Sequence, residues 1–105
     1  MSGGGSFSSD QNVLTLTTVG ANTLGKAGRM RITSIQAKGI ASAAIVFYDS
    51  ADASSPGNAK ATFNYGTEGL EIYVPGSGIL LKNGLVYNLT GASGSVTITY
   101  TGWYV

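Results

Sequence analysis

Neither cysteine nor histidine occurs among the 105 residues. The first absence excludes disulfides, thiolate metal sites and a cysteine nucleophile. The second removes the commonest general base and the commonest metal ligand. Charge is scarce as well. Six Lys and Arg stand against five Asp and Glu, so only 10% of residues are charged and the net charge is +1. An average soluble domain carries roughly 25%. A surface with so few charges has little protection against self-association. The centres of protein interfaces, by contrast, are depleted of charge. Low charge therefore suits a surface partly covered by partners, although a Ser/Thr/Gly surface that is polar without being ionic has the same composition.

Further function classes fall away for want of their residues. Phosphate binding needs clustered cations, and Lys26, Arg29 and Arg31 form the only small cluster, so no nucleic-acid partner is expected. No stretch approaches the ~20 apolar residues of a membrane helix, and no membrane partner is expected either. Residues 1–11 are rich in Gly and Ser and hold one aromatic, Phe7, with no apolar run of the signal-peptide kind. Synthesis in the cytoplasm is the expectation. Asn88, Leu89 and Thr90 spell a glycosylation sequon, read as chance inside a strand.

What is present is a succession of short strands and turns. One domain is expected from the length: a flexible arm over residues 1–11 and a single β-sandwich over 12–105. Residues 13–17 are a β-branched run with Leu14 and Leu16 on one face. Residues 21–27, with Gly, Asn and Thr, read as a loop. From Arg29 the sequence alternates with period two, Met30 and Ile32 inward, Arg29 and Arg31 outward. The alternation slips before Ile35, which predicts a β-bulge. Residues 44–48 (AIVFY) form a continuous apolar run that reads as a strand covered on both faces. Residues 49–58 are a long turn-rich stretch. Strands follow over 61–65 and 70–74, with Pro75 and Gly76 closing the second in a turn. Residues 79–81 and 85–90 flank Asn83-Gly84, a strong hairpin signal because both residues tolerate positive φ. The last clean alternation is 96–100. About eight short strands result, with 16 glycines and no helical periodicity. The fold class is all-β: an antiparallel sandwich, jelly-roll-like by strand count.

Chemistry finds few residues to use. A Ser or Thr nucleophile needs a base beside it, and the candidates are lysines or the five carboxylates. Asp49 and Asp52 share a loop, and Glu68 and Glu71 flank a strand start, but nothing sets two carboxylates across a cleft as a glycosidase requires. The 49–52 loop has two carboxylates for a hard cation, yet a polar turn with Asx capping explains it. Residues 75–78 (PGSG) lack the Lys and helix of a phosphate loop. No enzyme activity, cofactor or metal is expected. The aromatics are the remaining signal. Tyr87 and Tyr100 share faces with aliphatic residues and read as core. Tyr73, Trp103 and Tyr104 are candidates for surface contact, as Tyr and Trp are at protein interfaces. Phe7, Arg29 and Arg31 complete the partner-contact candidates.

The strand and turn pattern carries a resemblance. The stretches RITSIQA (31–37), AIVFYD (44–49), LEIYVPGSGI (70–79), NGLVYNL (83–89) and VTITY (96–100) resemble small virion proteins of tailed bacteriophages. The similarity runs from about residue 28 to the end, and its most distinctive part ends in Pro-Gly-Ser-Gly-Ile. The resemblance implies a structural role in the particle. The expected function is a capsid decoration, or cement, protein, a homotrimer bound to the outside of the major capsid protein lattice on the virion surface. No site residue carries over from the family. Two alternatives stay open: a tail, neck or fibre component, and a carbohydrate-binding module for host recognition with exposed aromatics around Tyr73 or Trp103.

Overall fold

The computed structural model describes residues 11–91 and 95–102. These form nine strands: β1 (Gln11–Leu16), β2 (Thr23–Ala27), β3 (Met30–Ala37), β4 (Ala44–Asp49), β5 (Ala59–Asn64), β6 (Leu70–Tyr73), β7 (Ile79–Leu81), β8 (Gly84–Thr90) and β9 (Val96–Gly102). A single 3-10 turn, Gly66–Glu68, precedes β6. All strand pairs are antiparallel and fall into two sheets. One has the order β1-β9-β3-β6, with β7 also on β3; the other has the order β2-β8-β4-β5.

The topology resolves to a jelly roll. β7 pairs with Met30, Arg31 and Ile32, while β6 pairs with the second half of β3, Ser34 to Ala37. β6 and β7 therefore lie end to end along one edge of β3 and together occupy one strand position. Eight positions remain, four to a sheet, and successive strands alternate between sheets except at β4 and β5. That is the double Greek key of a jelly-roll sandwich. β4 and β5 are also the only sequence-adjacent strands that pair.

Thr33 marks the interruption from both sides. The β3–β9 register shifts between Ile32 and Ser34, so Thr33 is the bulge. On the other edge Thr33 faces the gap between β7 and β6, where its carbonyl accepts the Val74 N–H at 2.9 Å. The alternation slip in the sequence is this bulge. Gly78 lets the chain rejoin the sheet there: its φ is +84°, and a Cβ would stand 2.4 Å from the Ile32 carbonyl oxygen. Only glycine fits both conditions.

Alternation builds the core. Val96, Ile98 and Tyr100 of β9, Met30, Ile32 and Ile35 of β3, and Leu81 of β7 face Ile45 and Phe47 of β4 and Leu85, Tyr87 and Leu89 of β8. Phe47 and Phe63 meet edge to face at 5.9 Å. Each fully buried aliphatic or aromatic side chain contributes about 1.5–3 kcal/mol of transfer free energy. Tyr87 and Tyr100 are in this core, as their positions in the alternation imply. The Tyr87 hydroxyl is accounted for by the Thr18 N–H, which donates to it at 3.1 Å.

Three expectations need correction. Residues 23–27 are strand β2, not loop. Gly25 is its inward residue and lies tight against Leu16, Leu85 and Tyr87, so no apolar side chain signals the strand. Asn83-Gly84 is not a hairpin turn. β7 belongs to one sheet and β8 to the other, and the turn carries the chain between them. Its amides are held by the Asp49 carboxylate, which accepts from Lys82 N–H at 3.0 Å and Asn83 N–H at 2.8 Å. Finally, β4 is not covered on both faces: Ile45 and Phe47 are buried, whereas Ala44, Val46 and Tyr48 are half-exposed. Of the expected arm, residues 1–10 lie outside the described residues, and Gln11 already pairs with Thr101.

Candidate functional site

With the inner faces committed to the core, function falls to the outer faces of the two sheets. On the five-stranded sheet the register aligns outward residues into rows. Thr15, Thr97, Gln36 and Glu71 make one row; Val13, Thr99, Ser34 and Tyr73 make the next. This face is dominated by hydroxyl and amide groups. A groove of about 430 Å³ runs over it, lined by Thr33, Ser34, Gln36, Tyr73, Val74, Gly76 and Thr99. No charged residue lines it. Tyr73 is 72% exposed.

The bulge concentrates hydroxyls in that groove. Thr33 Oγ1 donates to the Thr99 carbonyl at 3.2 Å and lies 2.9 Å from Thr99 Oγ1. Ser34 Oγ lies 2.6 Å from the same Thr99 hydroxyl. A regular ladder would set one residue of β3 opposite Thr99; the bulge sets two there. A second groove of about 400 Å³ adjoins along the face, lined by Gln36, Lys38, Glu71, Ser95 and Thr97 among others. Gln36 lines both.

The four-stranded sheet presents different chemistry. Its register aligns Leu24, Val86, Tyr48 and Ala59 in one outward row, and Asn88, Val46 and Thr62 in the next. Val86 is fully buried and Leu24 is 44% exposed. Thr90, Ala44 and Asn64 follow. None of these ten positions is charged. Lys60 is the extra residue of the β4–β5 bulge, so with Ala59 it stands opposite Tyr48 and puts a cation at the β5 edge of this face. Apolar and neutral polar residues therefore make up the middle of this face, with Lys60 at its β5 edge.

The sequence candidates are dispersed over these surfaces. Tyr73 projects from the five-stranded sheet opposite Ser34. Arg31 is half-buried on the same sheet, between Leu80 and Thr101. Arg29 is exposed in the turn before β3. Lys26 belongs to the other sheet and holds its ammonium 5.9 Å from the Tyr100 ring centroid, so the three cations form no common patch. Phe7, Trp103 and Tyr104 lie outside the described residues. Tyr48 is half-buried on the four-stranded face while Tyr65, Tyr87 and Tyr100 are buried; the described tyrosines share no single platform.

Asp49 and Asp52 have structural partners. Burial pushes the Asp49 carboxyl up, but backbone donation from Asn83, Lys82 and Gly84, with the nearby Lys60 charge, holds it below its ordinary value of 3.8. Asp52 accepts the Ser54 hydroxyl at 2.7 Å and the Ser54 N–H at 3.0 Å, an Asx turn that lowers its pKa. Among the described residues no group of three or more acidic side chains converges as a metal site would require. Tyr65 is different: its buried hydroxyl has no hydrogen-bond partner among the described residues, and burial raises its pKa.

Thr33, Ser34, Gln36, Val46, Val86 and Thr99 were not legible as site residues. The bulge slip was a signal for the first two. Their gathering beside Thr99 depends on a pairing across 65 or 66 positions, which local pattern does not reveal. The fold and surfaces thus define a jelly-roll sandwich with a hydroxyl-lined groove on one outer face and a row of apolar residues, Leu24, Val86 and Tyr48, on the other. Comparison of the chain with protein-family models, with curated proteins and with solved structures returned no match.

Proposed function

We propose that this chain is a capsid decoration protein of a tailed bacteriophage, a non-enzymatic module that binds the outside of the major capsid protein lattice and stabilises the head as a homotrimer. One observation carries the reading: on the outer face of the four-stranded sheet Leu24 and Tyr48 flank buried Val86 in one apolar row, Val46 lies beside them, and the nearest charge in the register is Lys60 at the β5 edge. The AIVFY run has the composition of a strand covered on both sides, and its own chain covers the outer side only in part: Val86 is buried there, while Ala44, Val46 and Tyr48 keep some exposure. A neighbouring protein surface completes it. A repeating lattice suits the weak charge of this module, because many modest contacts add through multivalency. Trimerisation buries surface that so small a domain otherwise leaves in water. The virion assignment itself rests on the sequence resemblance.

The test is co-sedimentation of the purified chain with capsids assembled from the major capsid protein of the same genome, with light scattering to weigh the free chain. Saturable binding, a trimer mass and copy numbers in the hundreds per particle are expected. A monomer that stays in the supernatant defeats the proposal, and a copy number of tens or fewer moves the chain to the tail or neck.

A further inference from the structure

We propose that the outer edge of β1 is a self-association site, where β1 of a second copy adds antiparallel and joins two five-stranded sheets into one. The site is separate from the face given to the capsid, since β1 belongs to the five-stranded sheet and that face to the other.

A sandwich of two open sheets has four edges: β1 and the β6–β7 line on one sheet, β2 and β5 on the other. An edge strand offers unpaired N–H and C=O groups to any other strand, and proteins blunt such edges with bulges, charges, proline or short strands. Three of the four edges are blunted here. β2 is bulged between Leu24 and Lys26, and Lys26 stands opposite the core residue Leu85, a charge turned inward over Tyr100. β5 is bulged and carries Lys60 in the bulge. The β6–β7 edge is broken into pieces of four and three residues, with Glu71 in the first and Pro75 between them. β1 has none of these devices. Its six residues, QNVLTL, pair with β9 from Gln11 to Leu16 without a register shift and include no charge, proline or glycine. No described strand lies on its other side. Val13 is 67% exposed, more than any other large aliphatic among the described residues.

The occupant that fits this edge is β1 itself. Residues 1–10 (MSGGGSFSSD) are too rich in Gly and Ser to make a good strand. The other three edges carry the features that oppose pairing. Residues directly opposite in an antiparallel pair share a face, so a two-fold axis at Val13 sets it against the partner's Val13 and takes the exposed valine of both copies out of water. Like charges are the usual penalty when a strand meets itself, and β1 has none. A net charge of +1 adds little repulsion between copies. A two-fold contact uses each edge once and closes. It cannot itself make a trimer, so it is additional to the three-fold association proposed above. A six-residue edge is well short of the roughly 20 residues a side of a stable interface. The contact therefore fills at high protein concentration, or where copies are held side by side.

The chain has no cysteine, so Val13→Cys carries a single thiol that a short bis-maleimide can link only to another copy. With the full chain taken from about 10 μM to about 1 mM, linked dimers should rise with concentration and exceed those of Glu71→Cys, on the opposite edge of the same sheet, at least about tenfold. In the ¹⁵N-labelled wild type, amide shifts over the same range should be confined to β1 and the β9 residues beside it. Val13→Lys, which sets like charges face to face, should abolish the concentration dependence with the thermal melt unchanged. Linking of Val13→Cys no greater than that of Glu71→Cys overturns the proposal, as do β1 amides that ignore concentration. A mixture of the two variants that links position 13 to position 71 also overturns it, because the contact is then head-to-tail. β1 amides that shift only on addition of capsid protein give the edge to a foreign strand instead. Co-sedimentation of the wild type with capsids is read separately, so either proposal can fail alone.

Discussion

The two outer faces are built on the same scaffold and carry opposite chemistry. Both lie on antiparallel sheets whose inner residues are the usual aliphatics and aromatics. Outside, the five-stranded sheet shows a hydroxyl-rich surface interrupted by exposed Val13 and Tyr73, while the four-stranded sheet shows Leu24, Tyr48 and Val46 around buried Val86. The difference has a local cause in each case. On β9 every outward position from Thr97 to Thr101 is threonine, which keeps high β propensity while staying polar. On β4 the outward positions are Ala44, Val46 and Tyr48, which make strand as readily but leave apolar area in water. The fold needs neither choice. Outer-face composition is where the two sheets differ, and mutations can test whether the two faces serve separate contacts.

The largest effect comes from what the faces share. Phe47 is fully buried, contacts Phe63 and has neighbours from both sheets. Phe47→Ala should cost about 3–5 kcal/mol, a large fraction of a small domain's stability. Urea denaturation should show a lost or strongly shifted transition, with capsid binding and β1 pairing lost together. Loss of one alone would mean that the two sheets do not depend on a common core.

A smaller, sided effect is expected at Gly78. Alanine there meets both the positive φ and the Ile32 carbonyl, at a cost of about 2 kcal/mol. The damage falls where β7 rejoins β3, beside the groove residues Val74 and Gly76. Amide exchange should quicken at Val74 and in β7 more than in β4 and β8 when measured well below the melting temperature. Equal acceleration would argue that strain spreads through the sandwich.

These residues also show what a sequence reveals. The period-two alternation of β3, β8 and β9 was sufficient for the strands, the core tyrosines and the bulge, because each is a property of neighbouring residues. β2 was hidden because its inward residue is glycine, chosen for closeness to Leu16 and Leu85 rather than for its own apolar area. Asn83-Gly84 misled because turn chemistry specifies a reversal of the chain and says nothing about whether the flanking strands pair. In a jelly roll nearly all pairing is between strands distant in sequence. The candidate site inherits that difficulty: Tyr73 stood out as an aromatic outside the core pattern, but its hydroxyl neighbours come from strands about 25 to 66 positions apart.

Asp49 ties the two sheets and gives the pH-dependent prediction. It sits on β4 and holds the amides of the turn that leaves β7. Its folded pKa is depressed, so its contribution is fully present above the ordinary value of 3.8 and is lost as pH falls through the lower folded value. Asp49→Asn should cost about 1 kcal/mol at neutral pH, discounted for the solvent exposure of these hydrogen bonds. The gap from wild type should close in denaturation curves taken at progressively lower pH. A gap that persists at the acidic end would mean that the asparagine disturbs packing rather than charge.

The smallest effects on stability give the sharpest separation of the faces. Val46→Lys puts a charge at the centre of the four-stranded outer face, where valine is half-exposed, and should change stability by less than about 1 kcal/mol. Val13→Lys, at a position 67% exposed, should change it by less than about 0.5 kcal/mol. Capsid co-sedimentation should be abolished by the first and kept by the second, with concentration-dependent pairing of β1 the reverse. The double variant should show both losses with no coupling, because the two side chains project from opposite faces and share no partner. Coupling between them would mean that the faces communicate through the core, or that one partner wraps the sheet edge and reaches both.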